Sequence, residues 1–231
     1  MMKSLLAIDS SANQCRIGLM YKGEHSETIH EGFKDHAKVM LGLVDSILAN
    51  SSITLANLDG IVYGHGPGSF TGLRIAACVT QGLAISHQLP VCGISSLQAL
   101  AQRVFNLTSH NNIWILNDAR MNEVYHARYI IRDDIAQIYV DDNVSPIENI
   151  DIDVEQDWLL AGSGLDVYSN QILKSKFNNF KQSQVRAFNT KDLIDLALAK
   201  PSKFCQTGIA IPAYIRNKVA NKSNKTISNK T

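Results

Sequence analysis

Apolar and polar positions divide the chain into short runs and two long stripes. Leu5 to Ile8 is a continuous apolar run that ends on Asp9. Cys15 to Tyr21 follows a polar turn, and Lys22-Gly23 marks the next reversal. Together they predict a meander of two or three strands. From His36 to Asn50 the period becomes helical, with Met40, Leu43, Val44, Ile47 and Leu48 on one wide stripe. Ile61 to Tyr63 predicts a strand that enters the glycine-rich loop Gly64-His65-Gly66-Pro67-Gly68. A helix over 69–87, a strand over 89–94 and a helix over 95–105 complete the first half.

The second half opens in the same manner. Strands are predicted over 113–117, 123–131 and 135–140. The turn Asp118-Ala119-Arg120-Met121-Asn122 matches the strand–Asp–polar turn–strand unit at Asp9-Ser10-Ser11-Ala12-Asn13. This weak repeat suggests a duplicated α/β fold, although two hairpins could match by chance. Further on, the pattern gives a strand over 158–161, ending at Gly162-Ser163-Gly164, then helices over 165–176 and 190–199. Residues 218–231 are Asn, Lys, Ser and Thr with almost no apolar content, the composition of a disordered tail.

Charge changes this picture only locally. Net charge is +1, but Arg216, Lys218, Lys222, Lys225 and Lys230 put +5 on residues 216–231 and leave −4 on the rest. The body therefore has no global basic field for nucleic acid. Four cysteines (Cys15, Cys78, Cys92 and Cys205) lie too far apart in sequence for a metal knuckle or a C-x-x-C pair. Cys15, Cys78 and Cys92 fall in apolar segments, as buried thiols in a reducing compartment would. The opening apolar run is too short for a signal sequence, and no stretch approaches the length of a membrane span. A soluble, cytoplasmic protein is expected.

Candidate chemistry is sparse. Asp9, Ser10 and Ser11 in one turn and Asp118 in the other could hold Mg²⁺ and phosphates, or could simply make side-chain-to-backbone turns. The glycine loop and the helix after it could bind an anion. They could equally form a tight turn that seats the helix on a sheet. The loop has no Walker lysine, and its every-second-residue glycines are not a dinucleotide fingerprint. No H-x-x-x-H, H-E-x-x-H or nucleophile elbow occurs. From Phe70 to His87 only Arg74 carries a formal charge, so this helix is apolar on nearly all sides. The helix over 36–50 is similarly over-supplied. Both are either central in a layered fold or meet another protein. The candidate outward stripes are Val39, Leu43 and Ile47 on one helix and Arg74, Ile75, Cys78 and Val79 on the other. Met40, Val44 and Leu48 would then face the sheet, unless the faces are exchanged.

The segment Gly66-Pro67-Gly68-Ser69-Phe70-Thr71-Gly72-Leu73-Arg74-Ile75 resembles the signature of the TsaB/YeaZ family. Leu6-Ala7-Ile8-Asp9-Ser10-Ser11, Gln81-Gly82-Leu83-Ala84, Asp118-Ala119-Arg120-Met121-Asn122-Glu123-Val124-Tyr125 and Pro212-Ala213-Tyr214-Ile215-Arg216-Asn217 are similar to its other motifs. From about 131 to 200 the match is loose apart from Gly162-Ser163-Gly164. Gly42, where many relatives have proline, and His65 depart from the pattern.

The resemblance implies an α/β, two-lobed actin-like ATPase fold of duplicated mixed-sheet lobes with flanking helices. It implies an N-terminal lobe over 1–106 carrying the partner helices, a C-terminal lobe over 107–217 whose last helix packs back, and the tail. It also implies a degenerate paralogue of TsaD, the enzyme that transfers a threonylcarbamoyl group to the adenosine beside the tRNA anticodon. TsaD holds its metal with an H-x-x-x-H pair. The corresponding Ser95-Ser96-Leu97-Gln98-Ala99-Leu100 has no histidine. The resemblance therefore implies no catalysis by this subunit alone, no catalytic or metal-ligating residue and no tightly bound cofactor, with ATP and metal on TsaD. Asp9, Ser10, Ser11, Asp118, Gly162 and Gly164 would be a vestigial phosphate site. The implied partners are TsaD, then TsaE, with tRNA reached through the complex and a homodimer when TsaD is absent. The alternatives are an active actin-like ATPase or an M22-type glycoprotease-like peptidase.

Overall fold

A computed structural model describes residues 2–32, 36–152, 156–205 and 209–215. The first half forms strands β1 (Leu5–Asp9), β2 (Gln14–Tyr21), β3 (Glu24–Glu31), β4 (Gly60–Gly66) and β5 (Val91–Ser95), with helices α1 (His36–Asn50), α2 (Phe70–His87) and α3 (Ser96–Thr108). The second half forms β6 (Asn112–Asp118), β7 (Val124–Arg132), β8 (Ile135–Ser145), β9 (Leu159–Ala161) and β10 (Lys181–Gln182). Its helices are α4 (Gly164–Val167), α5 (Ser169–Leu173) and α6 (Thr190–Leu198).

The two five-stranded sheets have the same order, β3-β2-β1-β4-β5 and β8-β7-β6-β9-β10. In each, the first strand pairs antiparallel with the second and parallel with the fourth. The duplication suggested by the two Asp turns is therefore a duplication of whole sheets, and the architecture is the two-lobed actin-like one. The hydrophobic pattern follows from the layering. On β1, Leu5 and Ala7 face a core shared with β6, β7, α3 and α6, while Leu6 and Ile8 face α1 and α2. On β6, Ile113 and Ile115 join the shared core, and Trp114 and Leu116 face the far side. Both central strands are covered on both faces, so they are continuously apolar. Helix α6, from the second half, packs across β1 and β2 of the first sheet.

Helix boundaries have local causes. Ser69 caps α2 by accepting from the Gly72 N–H, and Ser95 caps α3 by accepting from the N–H groups of Leu97 and Gln98. Asn189 and Asp192 form a capping box that starts α6. The single helix expected over 165–176 is two short ones, because the chain breaks at Tyr168. That side chain is drawn inward to donate its hydroxyl to Asp118 Oδ1 and the Glu123 carbonyl. β8 runs past the expected 140 to Ser145, pairing with β7 across two irregularities in register.

Two expectations about helix faces need correction. Ile47 is only 4% exposed and joins the core with Met40, Val44 and Leu48. Steps of four on a helix of 3.6 residues per turn advance about 40° each, so the Val39–Leu43–Ile47 row drifts onto the sheet-facing side. Cys78 is exposed rather than buried, because it sits on the α2 side away from the sheet, while Cys15 and Cys92 are buried. The tail over 218–231 lies outside the described residues. Among the described residues no helix is long and apolar enough to cross a membrane.

Candidate functional site

The strand order places the β1–β2 turn and the β6–β7 turn on opposite walls of one cleft of about 620 Å³. Asp9 and Ser11 line one wall and Asp118 the other. Ser10, Gly162 and Gly164 do not line it. They lie beneath the turns. Arg16, Arg120, Arg186, Tyr125, Phe188 and Tyr214 also line the cleft. Arg120, Tyr125 and Tyr214 were noted only within longer motifs, and Arg16, Arg186 and Phe188 were not singled out in the sequence. All six come from four separate places in the chain, and no spacing rule connects those places.

The glycine loop is explained by contact. A Cβ on Gly64 would lie 2.1 Å from Asp9 Oδ1, one on Gly68 2.3 Å from the Ser11 carbonyl oxygen, and one on Gly72 1.9 Å from the Ser10 carbonyl oxygen. The loop and the first turn of α2 thus press directly on the β1–β2 turn, and the Ser69 N–H donates to the Ser11 carbonyl at 2.7 Å. The Ser69 and Gly72 N–H groups at the start of α2 are engaged within the chain, which supports the packing reading of this loop. The second lobe repeats the device more loosely. Cβ atoms on Gly162 and Gly164 would lie 2.5 Å and 2.7 Å from the Leu116 carbonyl oxygen.

The two aspartates differ in state. Asp9 is 2% exposed. Its Oδ2 accepts from the Ser11 N–H and hydroxyl, while Oδ1 has no hydrogen-bond partner. Burial pushes its pKa up to about 6, against the opposing effect of the Ser11 bonds and Arg16. Asp118 accepts at Oδ1 from the Arg120 N–H and the Tyr168 hydroxyl. Ser10 is wholly buried, with Oγ 2.6 Å from His36 Nδ1. His36 Nε2 lies 2.5 Å from the Gly32 carbonyl. A carbonyl only accepts, so Nε2 carries a proton and, in the neutral ring, Nδ1 accepts from Ser10. This bond ties the cleft turn to the first residue of α1.

The cleft offers two carboxylates, Asp9 with one unpartnered oxygen and Asp118 with Oδ1 taken by Arg120 and Tyr168. No lysine stands on the glycine loop, and among the described residues no group of three or more His, Cys, Asp or Glu could hold a metal. The α3 face toward the cleft presents Ser96 and Leu100, four residues apart.

The other candidate surface lies on the far side of the first sheet. Helices α1 and α2 pack side by side over that sheet. Their outward sides carry exposed Leu41 (50%), Cys78 and Ile85, with half-buried Val39, Leu43, Ile75 and Val79. Arg74 is exposed there too.

Comparison with known proteins is consistent along the whole chain. A family model described as TsaD, tRNA N6-adenosine threonylcarbamoyltransferase, matches residues 26–228. The tRNA threonylcarbamoyladenosine biosynthesis protein TsaB of Haemophilus influenzae is 34% identical, covering 94% of each chain. That of Escherichia coli is 29% identical, covering 94% of this chain and 96% of its own. The solved structure of YeaZ from Pseudomonas aeruginosa superposes with a TM-score of 0.83 at 30% identity, covering 92% of this chain and all of that one.

Proposed function

The chain belongs to the TsaB/YeaZ family, within the wider TsaD-type group, and from that premise we propose that it is a non-catalytic subunit for making threonylcarbamoyladenosine in tRNA. It pairs with its catalytic relative TsaD, is joined by TsaE, and reaches tRNA through that assembly in the cytoplasm. ATP and metal belong to TsaD.

The observation that carries this reading is the apolar outward face of α1 and α2. Two adjacent helices keep Leu41, Leu43, Ile75, Cys78, Val79 and Ile85 wholly or partly in solvent, although the sheet beneath them is already covered. Exposed apolar side chains on two adjacent helices are what a subunit contact needs. The cleft supports the non-catalytic part. Asp9 keeps one buried oxygen without a partner, Asp118 Oδ1 is taken by Arg120 and Tyr168, and the helix that carries a metal pair in TsaD has Ser96 and Leu100 facing the cleft.

The test is co-purification with TsaD and tRNA modification with and without this chain. Leu43→Glu and Val79→Glu each place an unpaired charge in the contact. Binding is expected to fall by about two orders of magnitude, with circular dichroism unchanged. Normal binding by both variants, or threonylcarbamoyl transfer by the chain alone, would overturn the reading. In the absence of TsaD the same face is expected to pair two copies of the chain.

A further inference from the structure

Residues 209–215 form a strap that crosses the first lobe and ends beside α2. Ala210 is buried in the core under α2. The Ile211 N–H donates to the Tyr63 hydroxyl at 2.9 Å, that hydroxyl donates to the Ile211 carbonyl, and the Ala213 N–H donates to the His65 carbonyl at 2.7 Å. The strap thereby delivers Tyr214 to the first turn of α2. There the Arg74 guanidinium carbon sits 3.8 Å from the centre of the Phe70 ring and 5.6 Å from that of Tyr214. Arg74 Nε donates to the Tyr214 hydroxyl at 2.9 Å.

Three features make this cluster unusual. Arg74 is the only formally charged residue from Phe70 to His87. Its two terminal nitrogens face no acidic group of the chain among the described residues. Phe70 and Tyr214 are 42% and 49% exposed, so two aromatic rings and a fixed guanidinium stand together at the surface. Stacking and the Nε bond remove the side-chain freedom that an arginine normally loses on binding. The free edge presents a planar fork, whose matching group is a carboxylate.

We propose that Arg74, held between Phe70 and Tyr214, is the charged anchor of the partner surface and takes a carboxylate of the partner protein across its two terminal nitrogens. This rests on the subunit reading above and adds the strap to the interface. Phe70 and Tyr214 also line the cleft, which holds Arg16, Arg120 and Arg186, so RNA phosphate is the competing ligand that the test separates. The outward edge of α2 itself supplies one cation, Arg74, which suits a single carboxylate.

The test is the affinity of purified full-length chain for TsaD at low and high salt. Arg74→Gln is expected to weaken binding about tenfold or more and to flatten its salt dependence. Arg74→Glu is expected to weaken it about a hundredfold or more. Arg74→Lys should fail to restore the wild-type value, since a point charge does not reproduce the fork. Thermal melts of these variants should match wild type. A lowered melting point with unchanged affinity would show that the stack only pins the strap and would overturn the proposal. Retained affinity with weakened tRNA retention would overturn it in favour of RNA. Leu43→Glu separates the two readings. If it binds normally, the subunit reading itself fails. If it fails to bind while Arg74→Glu binds as wild type, only the anchor is lost.

Discussion

The two lobes share a strand order and differ in what covers their outer faces. The first sheet is backed by α1 and α2, of 15 and 18 residues, which leave apolar side chains in solvent. The second is backed by α4 and α5, of 4 and 5 residues, and seals itself with aromatic rings. Trp114 packs against Trp158, Phe177 and Phe180, and the Arg128 guanidinium lies 4.1 Å from the Trp114 ring centre. One copy of the repeat has thus completed its own outer layer, and the other has kept long helices with surplus apolar surface. The turns differ in the same sense. The first packs so tightly on its glycine loop that a carboxylate is stranded, while the second is relaxed by a tyrosine.

The comparison can be broken most sharply at the glycines. Gly72→Ala drives a Cβ into the Ser10 backbone carbonyl, whereas Gly164→Ala meets the Leu116 carbonyl at the milder 2.7 Å. Chemical denaturation should show a loss of about 3 kcal/mol or more, or no folded protein, for Gly72→Ala, and a smaller loss for Gly164→Ala. Equal effects would mean that the two turns are equally packed. Next in size is Phe177→Ala, which opens the aromatic seal of the second lobe. Its cost in urea unfolding should be about 3 kcal/mol, and binding to TsaD should persist in the folded fraction.

The stranded carboxylate gives a pH signature. The folded pKa of Asp9, about 6, lies above the unfolded value. Folding therefore favours the protonated form, and the cost of ionising it appears as pH rises from about 4 through 6. Asp9→Asn should stabilise the protein by about 1–2 kcal/mol at pH 7.5 and give no gain at pH 4. A gain that is the same at both values would point to a cause other than ionisation. The smallest effect is at Gly42, where a Cβ would meet nothing within 4 Å. Gly42→Ala should raise stability by about 0.5–1 kcal/mol through helix propensity alone, read as a small upward shift of the melting point.

Much of the fold was legible because its strands and long helices bury one or two full faces. The runs at Leu5–Ile8 and Ile61–Tyr63 and the stripe through Met40, Val44 and Leu48 are consequences of that burial. β10 was not legible, being two exposed residues placed by pairing with β9. The break at Tyr168 depends on a bond to Asp118, fifty residues earlier, which no local pattern encodes. Asp9, Ser11 and Asp118 announced the cleft, but Arg16, Arg186 and Phe188 reach it only through tertiary folding. The glycines at 64, 68 and 72 left an anion loop and a packing turn both open, because phosphate binding and close packing ask for the same missing side chain.

Helix α6 has a consequence for synthesis. Leu193, Ile194, Leu196 and Ala197 complete the core that Leu5, Ala7 and Val62 begin, and Thr190 Oγ1 would lie 2.0 Å from a Cβ on Gly18, so the helix seats directly on β2. A nascent chain that has emerged only through α3 therefore has a first sheet with one face unfinished. That face stays wet until residues near 198 leave the ribosome. The N-terminal lobe is thus the first to be translated and among the last to close, and a stop codon ahead of α6 would release a chain with an open sheet face exposed to chaperones and proteases.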